Sequence, residues 1–174
     1  KLHGTANQVL STTGSGTLTW VTPASSGVPY SGATGAVNLG AYDLTVNAIT
    51  VGKGAGNIAT NTANGSTALQ SNTTGTNNTA NGASALQSNT TGINNTANGL
   101  SALQSNTTGR FNTATGLEAL NLNTTGEFNT AIGSPALSTN TTGSQNTAVG
   151  SFADVSVDNL TNATAIGYGA VVNA

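Results

Sequence analysis

From residue 61 onward the apolar positions follow neither the 3.6-residue period of a helix nor the sustained alternation of a long strand. Instead, one Ala and then an Ala-Leu pair recur every 17 residues, set among Asn, Thr, Ser, Gln and Gly. The unit reads N-T-A-x-G-x-x-A-L-x-x-N-T-T-G-x-x. Registered copies begin at Asn61, Asn78, Asn95, Asn112, Asn129 and Asn146, and a degenerate copy ("ATAIG") begins at Ala163. Positions within the unit are numbered here from its first Asn. A register kept without insertion or deletion marks a repetitive fold.

Such a unit is too short for the helical repeats, which need about 33 residues or more, and for a leucine-rich repeat. Gly at positions 5 and 15 and the Thr-Thr pair are also poor helix material and good turn and strand material. The pattern therefore predicts an all-β parallel β-solenoid with one coil per unit. Each coil would carry a short strand at N-T-A-x, a turn at Gly, a second short strand around A-L-x-x, and a turn at N-T-T-G. Glycine would supply positive φ at both corners, and coils would stack about 4.8 Å apart.

Stacking turns each position into a column. Leu69, Leu86, Leu103, Leu120 and Leu137 form a candidate core column, with Ala68, Ala85, Ala102, Ala119 and Ala136 beside it. One large aliphatic per coil makes a thin core, which predicts completion by association with other chains; whether the Leu column faces the coil lumen or a neighbouring chain stays open. At position 4, Asn64, Asn81, Asn98 and Thr115 give way to Ile132, Val149 and Ile166. That residue shares a strand side with Thr at position 2, while Ala at position 3 points the other way. Placed on an axis between chains, the four polar residues form a candidate axial polar column. It would be an amide ladder with ordered water, fixing register as a buried Asn does in coiled coils. The aliphatic C-terminal half would then be the more stable. At positions 16 and 17, Arg110 and Glu127 stand one coil apart, as do Phe111 and Phe128, predicting an ion pair beside a ring contact on one face.

Two regions follow: 1–48, an N-terminal β stalk or connector without the repeat, and 49–174, the solenoid. "GTANQVLSTTGSGTLTWVTP" predicts two short strands around a Gly-rich turn. "SSGVPYSGATG" reads as a linker, and "ITVGKGAG" as a short, irregular first coil. Trp20, Tyr30 and Tyr42 suit packing between chains better than a ligand surface.

Composition narrows the function. Charged residues are only 5% of the 174, aromatics 4%, and the net charge is −2. Near-neutrality with strict register fits a repeat fold better than disorder. Lys1, Lys53 and Arg110 are the only cations, too few for a nucleic-acid surface. No apolar run is long enough to span a membrane. The start at Lys1 reads as a fragment or a processed product, and the lack of cysteine removes disulfides and thiol chemistry.

The segment "NTAIGSPALSTNTTGSQNTAVG" resembles the head repeats of YadA-like trimeric autotransporter adhesins, and the whole array is similar to regions of phage tail fibres. The resemblance covers roughly residues 49–174. It implies a left-handed parallel β-roll in an intertwined parallel homotrimer, displayed outside the cell, at a cell surface or on a virion. "GSFADVSVDNLTNATAIGYGAVVNA" looks like the lead-in to an endosialidase-type intramolecular chaperone in the precursor. The 17-residue coil is longer than that of the adhesin heads, and the Asn residues of the position-4 column depart from their aliphatic pattern.

Candidate chemistry is sparse. His3 is the only histidine and has no positioned partners, and Asp43, Glu118, Glu127, Asp154 and Asp158 are scattered rather than paired along the array. Gly52, Gly54 and Gly56 around Lys53 lack phosphate-loop spacing. Asn-Thr-Thr matches the N-glycosylation motif, as an Asn- and Thr-rich turn does by default. No catalytic residue, metal ligand or cofactor is expected. The sequence points to a structural and adhesive fibre segment, contacting host glycans or surface proteins through many weak contacts. A passive spacer carrying a separate tip is the alternative. An ice-binding face built on Thr73, Thr90, Thr107, Thr124 and Thr141 is a third reading, disfavoured because those residues adjoin a turn glycine.

Overall fold

The computed structural model describes residues 9–12, 18–21, 44–46 and 49–173. Two compact units are formed, Lys1–Asn38 and Leu39–Ala174. In the first, β1 (Val9–Thr12) and β2 (Leu18–Val21) pair antiparallel, Leu10 opposite Trp20, which is the predicted strand pair. His3, Tyr30, Tyr42 and Asp43 lie outside the described residues.

The second unit is a parallel β-solenoid. Its rungs are β5 (Thr62–Asn64), β6 (Thr79–Asn81), β7 (Thr96–Asn98), β8 (Thr113–Thr115), β9 (Thr130–Ile132), β10 (Thr147–Val149) and β12 (Thr164–Ile166). Each pairs parallel and in register with the next, Thr on Thr and Ala on Ala, from Thr62↔Thr79 to Thr147↔Thr164. Thr and the aliphatics favour extended backbone, and the Gly at position 5 ends each rung with φ between 119° and 146°. At the N-terminal end β3 (Leu44–Val46) and β4 (Ile49–Gly52) form a hairpin, and β4 runs antiparallel to β5. "ITVGKGAG" is thus not a first coil. It is an antiparallel strand and a 3₁₀ turn (Ala55–Asn57) that cover the end of the stack, Ala55 N donating to Leu69 O.

The predicted second strand is absent from the five coils of residues 61–145, where the A-L-x-x segment is a series of turns. The Leu of every one of these coils has left-handed backbone, with φ from 48° to 51°. That geometry costs an L-residue roughly 1–2 kcal/mol, and full burial of the side chain, about 1.5–3 kcal/mol, offsets it. In the last two coils Asp154 and Val171 replace Leu. Only there does a second strand pair form, β11 (Asp154–Val155) with β13 (Val171–Val172). A β-branched side chain tolerates positive φ least. Leu103→Ile should therefore cost about 2 kcal/mol or more at unchanged volume, against under about 1.5 for Leu103→Met. Urea unfolding of the two variants measures the difference.

The interior closes within one chain. In the first six coils the Leu column and the Ala residues at positions 3 and 8 face inward, all at 5% exposure or less. The Asn at positions 1 and 12 join them, and eleven Asn are buried in all. This is a larger interior than the sequence suggests, because the amides satisfy one another along the stack. Asn89, Asn106, Asn123 and Asn140 each donate Nδ2 to Oδ1 of the position-12 Asn one coil earlier, at 2.8–2.9 Å. The same Nδ2 donates to the position-15 carbonyl of its own coil, as in Asn106 to Gly109 O at 3.1 Å. At position 1, Asn95 Nδ2 donates to Gly109 O at 2.9 Å, and Asn95 Oδ1 accepts the Asn112 backbone N–H at 3.0 Å.

Gly at position 15 serves this ladder, not a positive-φ corner as expected from sequence: left-handed φ occurs at position 5 but not at Gly75, Gly92, Gly109, Gly126 or Gly143. A Cβ at Gly109 would overlap Asn106 Oδ1 and lie 2.5 Å from Gly126 O. The ladder stops where the unit changes. Val157 takes position 12 of the sixth coil, and Asn140 Oδ1 accepts instead from Asn146 Nδ2 at 3.2 Å.

Candidate interaction surface

Because Ala at position 3 points into the coil, Thr at position 2 and the residue at position 4 face out on every rung, the alternation a strand imposes. The position-4 column therefore lies on the outer face of the chain. Asn64, Asn81 and Thr115 are exposed and Asn98 is half-buried. Asn64 Nδ2 donates to Asn81 Oδ1 at 3.3 Å, a start of an amide ladder in contact with solvent. A second external ladder runs through Gln70, Gln87 and Gln104 at 3.0–3.1 Å. Toward the C-terminus position 4 turns apolar: Ile132 is 44% and Ile166 70% exposed, with Val149 half-buried between them. The Leu column, by contrast, lies wholly inside.

The third and fourth coils carry the sharpest departure from uniformity. Arg110 Nε meets Glu127 Oε1 at 3.0 Å, and the rings of Phe111 and Phe128 stack with centroids 4.9 Å apart and planes 6° from parallel. Both contacts are those the 17-residue register predicts. The ion pair is solvated on both sides and contributes less than about 1 kcal/mol. The Phe residues are about half exposed and occupy left-handed backbone, φ 56° and 57°, where Asn77, Asn94 and Asn162 stand in other coils. Asn tolerates that region far better than Phe. Phe128→Asn should change unfolding free energy by under about 1 kcal/mol, because relief of backbone strain offsets the lost ring contact. Thermal and urea unfolding check it.

Other outward features are local. Phe152 and Tyr168 make an edge-on contact at 5.9 Å near the last rung. Leu100, Leu117 and Leu122 are exposed on the central coils. Asp154 accepts hydrogen bonds from Ser138 Oγ, Thr139 N and Oγ1, and Val155 N, while Asp158 accepts from Thr141 Oγ1. These acids hold neighbouring coils rather than sharing one site. Among the described residues no cluster of His, Cys, Asp and Glu could hold a metal ion, and no helix is long and apolar enough to cross a membrane.

Comparison with protein-family models, with curated proteins and with solved structures finds no match to this chain. The solenoid itself is what the coordinates establish. Sequence reasoning missed the strained Phe backbone on the surface and the inward Asn columns beneath it. Only the recurrence of Asn at two fixed positions of each unit, with Gly three residues after the second, would have betrayed the latter.

Proposed function

We propose that this chain is a structural and adhesive segment of a fibre on a cell surface or virion, assembled as a parallel homotrimer of left-handed coils. One observation carries this reading. The interior is already complete within the single chain, so the apolar ribbon of Ile132, Val149 and Ile166 answers to something outside the coil. A neutral ribbon running along the coil axis suits another copy of a nearly uncharged chain, which has no charge pattern to steer a different partner. The outward Thr at position 2 repeats the same polar group once per coil, which suits many weak contacts with a host glycan or protein rather than one deep site.

The spacer reading has its own support: none of the exposed large apolar side chains among the described residues falls between Val51 and Leu100. Those coils can hold a distance without binding anything. The ice reading loses its donors, since Thr73, Thr90, Thr107 and Thr124 each give their hydroxyl hydrogen to the backbone carbonyl one coil on, at 2.9–3.1 Å.

Light scattering on the native chain should give three times the monomer mass. Ile132→Asn with Ile166→Asn should shift it to monomer while circular dichroism keeps the β signal, because neither side chain enters the interior. A monomer mass for the unaltered chain overturns the trimer. Binding of the isolated chain to a glycan array separates adhesin from spacer.

A further inference from the structure

The Asn-Thr-Thr turns carry a chemical property that a fibre role leaves unused. Asn72, Asn89, Asn106, Asn123 and Asn140 are each acceptors by motif for N-linked glycosylation. That motif ordinarily marks a surface loop. Here every one of the five acceptor side chains is buried, at 2% exposure or less. Asn106 Nδ2 uses both its hydrogens, toward Asn89 Oδ1 at 2.9 Å and Gly109 O at 3.1 Å. Space is as short as hydrogens: even a Cβ placed on Gly92 would lie 2.9 Å from that Nδ2.

We propose that folding of this chain and N-glycosylation of its Asn-Thr-Thr motifs exclude one another. The solenoid then forms only where the chain folds without meeting an oligosaccharide-transferring enzyme. In that transfer Nδ2 bonds to the anomeric carbon of a sugar carried on a polyprenyl diphosphate. The anomeric carbon–oxygen bond to the diphosphate breaks, and Nδ2 gives up one hydrogen as a proton. A modified Asn therefore loses one of the two donors the ladder uses and brings a bulky polar group to a filled interior. Because the enzyme acts on unfolded chain, the reaction precedes the burial that would prevent it. The inference is independent of the fibre reading, since it rests on the interior alone.

The chain contains its own control. Asn64, Asn77, Asn94, Asn159 and Asn162 also fit the motif, but Asn94 is half-buried and the others are exposed, so a glycan on them projects into solvent. The Thr at position 14 is exposed in each of the five Asn-Thr-Thr turns. Thr74→Ala, Thr91→Ala, Thr108→Ala, Thr125→Ala and Thr142→Ala together abolish the buried acceptors and leave every ladder Asn in place.

The full chain, directed into the secretory pathway of yeast, should carry glycans on the five buried Asn by mass spectrometry and be lost as protease-sensitive aggregate. The same chain made in bacterial cytoplasm should be soluble and protease-resistant. The fivefold Thr→Ala variant, first shown to fold in bacteria, should be secreted folded with glycans only on the exposed class. Blocking synthesis of the lipid-linked donor should rescue the unaltered chain too, which keeps the test decisive should the variant not fold. Folded, secreted, unaltered chain whose five buried Asn carry glycans overturns the proposal, whereas folded chain in which all five remain unmodified bears out the exclusion. Aggregation that persists with the donor blocked overturns it as well.

Discussion

Asn106→Asp should destabilise the solenoid by about 3 kcal/mol or more at pH 7, although the two side chains have the same shape. In the native chain Asn106 Nδ2 donates to Asn89 Oδ1 and to Gly109 O, while its Oδ1 accepts from Asn123 Nδ2. A carboxylate there can still accept from Asn123, but its other oxygen faces two acceptors in a site with no solvent exposure. Acid should restore much of the loss. Burial against acceptors raises the folded-state pKa of the introduced carboxyl above its unfolded value of about 3.9. Stability is then greatest below the unfolded value, where the group is protonated and can donate, and falls as pH rises through the raised folded value. The variant should thus be more stable near pH 3 to 4 than at pH 7, relative to the unaltered chain. Urea unfolding at the two pH values tests both sign and size. A variant that loses stability on acidification would show that position 106 is not an interior ladder rung.

Gly109→Ala should cost about 3 kcal/mol or more, among the largest effects a single methyl can have. The methyl would overlap Asn106 Oδ1 and lie 2.5 Å from Gly126 O and 3.0 Å from Asn123 Nδ2. Neither the backbone nor a doubly bonded amide can withdraw without opening the ladder. In a repeat array each coil is held chiefly by its neighbours. Damage between the third and fourth coils should therefore divide the array, and hydrogen exchange should show two separately opening segments. Thr108→Ala, one residue away and exposed, should change stability by less than about 0.5 kcal/mol. If the two variants unfold alike, the tight approach at position 15 is not what holds the coils in place.

Period and register were legible without coordinates. A 17-residue repeat kept through six copies can place equivalent residues together only by stacking, so columns, parallel rungs and the meetings of Arg110 with Glu127 and Phe111 with Phe128 followed directly. That Ala63 and its equivalents point opposite to positions 2 and 4 followed too, from the two-residue alternation of a strand, but only the structure shows that their side is the interior. What the tertiary structure alone decided was the inside of the turns. Asn reads as a turn residue because in an isolated loop its amide bonds to local backbone or water. Only when an identical amide sits one coil away can it be buried with its partners supplied, a condition belonging to the stack and not to the segment. For the same reason Leu103 adopts a left-handed turn rather than the expected strand. Local propensity counts the cost of that backbone, and only the assembled interior provides the burial that outweighs it.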